Sequence, residues 1–180
     1  VMSVMNGFRS ELINKIVGFN AHITVKPYEE NTIVIDDVNQ KLRSISKNLI
    51  LSNTGESIII KNDTSKGILL RGYNSKDFST LKIFDNKLFM GNKEILKGNY
   101  ISIGKELSFI LNLDIGDNIS LMSSTGIETI IGNLPKQKTF IVSSIFESGL
   151  TDFDNNVAFI NLETLEEFFD LNKKKRNLEI

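Results

Sequence analysis

The sequence predicts an α+β domain. Three observations predict it: helical and strand periodicities mix along the chain without a strict βαβ rhythm, the apolar runs are strand-length and bounded by turn residues, and no internal repeat or low-complexity tract interrupts them. In VMSVMNGFRSELINKIVG, residues 1–18, the apolar Val1, Met5, Phe8, Leu12 and Ile16 recur at steps of three and four. Glu11 and Lys15 form an i,i+4 pair, and Gly18 suits the position just past a helix end. That is an amphipathic helix. AHITVKP alternates Ile23 and Val25 with polar neighbours and stops at Pro27, as a strand does. Asp36 and Asp37 favour a helix N-terminus, after which Val38, Leu42 and Ile45 line one face of a second helix.

Three strand runs follow, NLILS, SIIIK and GILLRG, the first two joined by a hairpin turn at Asn53-Thr54-Gly55. Residues 75–97 are less regular. The pattern then predicts a strand from Tyr100 to Ile103, a short helix carrying Leu107, Ile110 and Leu111, a turn at Gly116-Asp117 and a strand from Asn118 to Met122. Farther on, TFIVSSIFE and NVAFINL are strands, and LETLEEFFDL is a helix with Asn161 as N-cap and Leu162, Leu165 and Phe169 on one face. Residues 177–180 read as the first half of a strand, and Val1 starts inside an apolar helical stripe. The chain is therefore expected to be an excised segment whose neighbours could include membrane spans.

Composition narrows the function. With 41% hydrophobic and 24% charged residues the chain can bury a core, and a formal charge of -1 gives no global field for collecting nucleic acid or an acidic membrane. The absence of cysteine removes disulfides, thiolate nucleophiles and cysteine zinc sites. No window approaches the roughly 18 apolar residues that cross a bilayer. The single histidine, His22, has no second histidine or serine-aspartate motif beside it, and no phosphate-cradling glycine loop or nucleophile elbow is present. No catalytic residue, metal ligand or cofactor is therefore assigned. Asp152, Asp154, Asn156 and Glu163 do fall at positions 1, 3, 5 and 12 of a calcium loop. However, Val157 stands where the turn needs glycine, and a polar turn leading into a strand accounts for them better. The run Lys173 to Arg176 reads as a solvated face.

One stretch departs from this pattern. TGIETIIGNLPKQK, residues 125–138, lies between two strands and should be a polar turn, yet its middle carries Ile130, Ile131 and Leu134. These side chains either fold back as a minor core or form the apolar tip of a projecting arm, a partner-binding element. The polar flanks Ser123 to Gly126 and Lys136 to Lys138 favour projection; composition alone leaves the two readings near even.

VMSVMNGFRSELINKIVG followed by HITV resembles the stretch by which the first membrane helix enters the periplasm in permease subunits of the lipoprotein-releasing ABC transporter, the LolC/LolE family. LNLDIGDNISLMSS is similar to a segment of the wider MacB-like periplasmic domains, and GNLPKQKTFIVSSIFESGLTDFDNNVAFINLETLEEFF resembles the family's following stretch. The resemblance implies a split, porter-like α/β sandwich with an inserted, mainly β, sabre-like part that bears a β-hairpin hook. On that pattern residues 1–18 continue from a transmembrane segment, 19–73 and 151–180 are the two porter-like halves, and 74–150 is the insertion with its hook at 123–138.

LolC-like members use the hook to enter the cavity of the periplasmic lipoprotein carrier. Thr129, Ile130, Ile131 and Gly132 stand where the family tends to have threonine, proline, a large apolar residue and glycine. Pro135, Gln137 and Lys138 fit the returning arm, and Asn133, Leu134 and Lys136 complete the implied carrier-binding set. Ile130 in place of the tip proline, and Ser120 where some members are basic, depart from the pattern. The resemblance further implies a non-enzymatic domain in the periplasm, belonging to an inner-membrane permease of LolC-like or hybrid type. Its partners would be an ABC ATPase, a second permease subunit, a LolA-like carrier and lipoprotein cargo. A MacB-like efflux or signalling permease would share the fold without the carrier role.

Overall fold

The computed structural model describes residues 23–26, 41, 49–81, 89–91, 96–129, 132–172 and 176–180. The helix expected over 1–18 and His22 lie outside them, as does the second helix except for Lys41, which is helical. The described elements are β1 (Thr24–Val25), β2 (Ile50–Lys61), β3 (Thr64–Tyr73), α1 (Ser75–Thr80), β4 (Phe89–Gly91), β5 (Tyr100–Gly104) and α2 (Lys105–Leu111). They continue with β6 (Asn118–Thr129), β7 (Gly132–Phe146), α3 (Thr151–Asn156), β8 (Val157–Asn161), α4 (Leu162–Phe169) and β9 (Asn177–Glu179). The α+β class is therefore what the structure has.

The strand pairings close on themselves. β2 pairs with β3, β3 with β8, β8 with β5, β5 with β7, β7 with β6, and β6 again with β2. A closed ring uses both edges of every member, so over the paired stretches no backbone edge is left to aggregate. Alternate residues face inward and build one core: Ile59, Leu70, Ile101, Ile103, Leu121, Phe140, Val142, Ala158 and Ile160 are fully buried. β8 is buried on both faces, which explains its uninterrupted run Val157 to Ile160. Its outward Val157 and Phe159 join Tyr73, Phe78, Leu96 and Phe146 in a second cluster. β9 lies between β1 and β2 on the outer flank of the ring.

Helix α4 packs against the ring with Leu162, Leu165, Phe168 and Phe169 buried. Asn161 caps it as expected, its side-chain oxygen accepting from the Glu163 and Thr164 amides at 3.0 and 3.4 Å. The helix ends at Asp170, whose left-handed φ of 53° lets its amide reach the Glu166 carbonyl. A bidentate pair from Arg176 to Glu166, at 2.6 and 2.8 Å, ties the following segment back, so Arg176 is not part of a solvated run.

Three further expectations are corrected. Asn53-Thr54-Gly55 is not a turn but the middle of a continuous β2, and the reversal occurs at Asn62-Asp63, where Lys61 pairs with Thr64 and Asn62 takes φ 51°. The reason lies in packing: Gly55 sits against the Phe169 ring, and β2 is held along its length by β3 and in parts by β9 and β6. In α2, Leu107 and Leu111 are buried but Ile110 is 51% exposed, because Ser108 takes the inward position. Residues 151–156 form a short helix instead of a polar turn. There the carboxylate of Asp154 turns inward to accept the Ser148 amide at 2.9 and 3.0 Å, so a would-be calcium ligand is spent on the backbone.

Candidate functional site

Strands β6 and β7 leave the ring together. β6 pairs with β2 from Ser120 to Ser123, and β7 with β5 from Ile141 onward; outside those stretches, among the described residues, the arm's strands pair only with each other. Thr129 pairs with Gly132, Glu128 with Asn133, Ile127 with Leu134 and Gly126 with Pro135, which makes residues 126–135 a tight hairpin. Its two connecting residues, Ile130 and Ile131, lie outside the described residues. From Lys136 to Gly132, along the strand without the irregularity, the arm extends about 13 Å at roughly 3.3 Å per residue.

The sequence of β7 explains how a core strand becomes an arm. Its even-numbered residues share one face. Phe140 and Val142 are fully buried, whereas Lys138 and Lys136 are half-buried and Leu134 is 54% exposed. The buried face of the strand thus gives way to two lysines at the edge of the body, and an aliphatic side chain returns only at Leu134. Lys138 covers the transition, its ammonium 5.8 Å from the centroid of the Phe140 ring. Lys136 forms an ion pair with Asp170 at the end of α4. Pro135 and Gln137 are exposed, and Gln137 pairs with Met122. The described members of the predicted set thus lie along one hairpin, although Lys136 is already engaged by a group that the sequence reading did not name. Asp170 carries one local signal, since an aspartate after a helical run suits a left-handed stop, but nothing in the sequence places it beside residue 136.

Other chemistry is sparse among the described residues. No group of three or more His, Cys, Asp or Glu side chains could hold a metal ion there. No helix is long and apolar enough to cross a membrane. Burial pushes the Asp154 carboxyl above its ordinary value against the opposing bonds from Ser148, and it pushes the Tyr73 phenol up as well. Both groups are explained structurally, for the Tyr73 hydroxyl lies 2.9 and 3.1 Å from the carboxylate oxygens of Glu179. That carboxylate also accepts Ser52 Oγ at 2.5 Å and Arg71 Nη2 at 3.1 Å, which fastens β9 to β2 and β3. Near the far end of β7, a cavity of about 280 Å³ is lined by Met90, Lys105, Phe109, Leu113, Ile145 and Glu147. The Lys105–Glu147 ion pair, at 3.1 Å, lies along it.

Comparison with known proteins settles the kinship. No protein-family model matches the chain. The lipoprotein-releasing system transmembrane protein LolC of Xylella fastidiosa is 24% identical over 173 residues, covering 92% of this chain and 41% of that protein. LolC of Buchnera aphidicola is 27% identical over 182 residues, covering 96% and 43%. The chain is a homologue of the LolC proteins. It spans about two fifths of the length of these curated relatives. Among solved structures, the extracellular domain of the noncanonic ABC-type transporter YknZ from Gram-positive bacteria superposes with a TM-score of 0.52 at 16% identity. That match covers 88% of this chain and 83% of that one. The fold is thus shared with an ABC-transporter extracellular domain, and the LolC kinship expected from the sequence holds.

Proposed function

We propose that this LolC homologue is the periplasmic domain of an inner-membrane ABC transporter permease that releases lipoproteins, and that its hairpin docks a periplasmic lipoprotein carrier of the LolA type. The domain is non-enzymatic and needs no cofactor or metal. It works beside an ATPase and a second permease subunit joined through membrane parts outside this chain, with residues 19–73 and 151–180 as the two porter-like halves and 74–150 as the insertion. One observation carries the docking: β6 and β7 run past the ring as a hairpin paired only with itself, and it holds Leu134 54% exposed beside the Ile130-Ile131 connection. Burying a leucine side chain fully is worth about 1.5–3 kcal/mol, so the half still exposed offers about 1 kcal/mol to an apolar cavity, with the two isoleucines adding to it. Thr129, Gly132 and Asn133 shape the tip, while Pro135, Gln137 and Lys138 lie on the returning arm, where polar contacts hold a partner's rim.

Capture of the carrier by the purified domain tests this. Wild type should retain it, and Ile131→Asp or Leu134→Asp should lose most of it; Leu134→Asp should melt within a degree or two of wild type, because exposed positions tolerate charge. Equal capture by all three proteins would defeat the docking and leave a MacB-like permease domain with no carrier role.

A further inference from the structure

We propose that Asp170 is a positioning residue for the hairpin: it grips Lys136 as a brace, and the brace aims the arm. The binding half of this inference rests on the docking reading above; the structural half does not. Two observations show why an aim must be supplied. Met122 pairs with Gln137 and Gly126 with Pro135, so β6 spends four steps where β7 spends two, and the ladder is interrupted over residues 123–125. Such a bulge bends a ribbon and removes local hydrogen bonds. At the same place β6 gives up β2, and Pro135 has no amide hydrogen to contribute. A continuous ladder therefore does not fix the direction of the arm.

Each strand of the ribbon has a side-chain anchor at this elbow. On β6, the buried Ser57 donates to the Met122 carbonyl at 2.8 Å. On β7, the Lys136 ammonium meets the Asp170 carboxylate, and the Lys136 side chain is only 23% exposed, which shows that the arm leans on the body there. The second anchor is rigid. Asp170 terminates α4 with its amide on the Glu166 carbonyl, which also accepts the Leu171 amide at 2.8 Å, and the helix before it is buried through Phe168 and Phe169. Lys136 thus acts on a docking partner through the arm it steadies, not as a free cation on the rim.

The chain has no cysteine, so two introduced ones, Asp63→Cys and Thr129→Cys, give clean sites for a spin-label distance across body and tip. Asp170→Asn and Lys136→Asp should each broaden that distance distribution, and the exchange Lys136→Asp with Asp170→Lys should narrow it again. Carrier capture should fall about two- to five-fold in the single variants, the scale of a partly exposed ion pair, and recover in the exchange. Unchanged distributions in the single variants would overturn the brace. Recovery of the distance without recovery of capture would overturn the binding half, by showing that Lys136 touches the carrier directly. Should the wild type capture no carrier, the docking reading falls, and the distance measurement still decides the brace.

Discussion

Replacing Gly55 by alanine should destabilise the domain, against the usual direction. Gly55 lies in an extended strand whose φ suits any residue, and there a Gly→Ala change ordinarily adds about 0.4–1 kcal/mol by restricting the unfolded chain. Here the added methyl would fall 2.4, 2.6 and 2.7 Å from three carbons of the Phe169 ring. Carbon atoms in contact prefer about 3.5–4.0 Å, so the ring must retreat by about 1 Å. It has little room to do so. Phe169 is 5% exposed and stacks edge-on to Phe168 with centroids 5.0 Å apart. Overpacking of this kind costs about 1–3 kcal/mol, which for a domain of this size lowers Tm by roughly 3–10 °C. Thermal unfolding followed by circular dichroism measures it. Adding Phe169→Leu should relieve the clash, so the double variant should be more stable than the sum of the two single losses by about 0.5 kcal/mol or more. A Tm for Gly55→Ala at or above wild type, or strict additivity, would refute the reasoning.

Glu179→Ala should cost about 3–5 kcal/mol in denaturant unfolding, because it leaves Arg71 and the Tyr73 hydroxyl buried without that acceptor; Glu179→Gln should cost less. Asn161→Ala should cost about 1–2 kcal/mol, since it removes both the cap of α4 and the 3.0 Å bond to the Leu96 carbonyl. Asp154 predicts a pH effect with a definite sign. Its folded pKa is raised by burial, so the folded state holds the proton more tightly than the unfolded chain does. Its contribution is then full below the ordinary value of 3.8 and is lost as pH rises through the higher folded value. Wild type should therefore gain Tm relative to Asp154→Asn as pH falls from neutral through that window, and a constant difference would contradict the assignment.

What was legible in the sequence follows the range of the forces involved. Asn161 and the apolar face of α4 were readable because capping and helical periodicity act within a turn or two. The apolar runs of β5, β7 and β8 were readable for the same reason. The false turn at Asn53-Thr54-Gly55 shows the limit. Turn chemistry there is sound locally, but an aromatic ring more than a hundred residues later needs the glycine inside a strand. Ring closure was equally hidden, since it depends on β6 meeting β2 across some sixty residues. The arm was only half legible: the aliphatic residues of 125–138 marked the stretch as unusual, but composition left open whether it folds back or projects, and of those residues the structure describes Leu134, 54% exposed. Asp170 was not, because an ion pair between residues 136 and 170 leaves no trace in spacing.

The closed ring has a consequence for how the arm bears load. β6 and β7 are staves of the barrel at one end, with β2 gripping one and β5 the other, and the hairpin is simply the part of both staves that overshoots the rim. A pull on the tip is shared among four strands before it can open anything. The tip lies outside the closed circuit, so the hoops of the vessel do not depend on it.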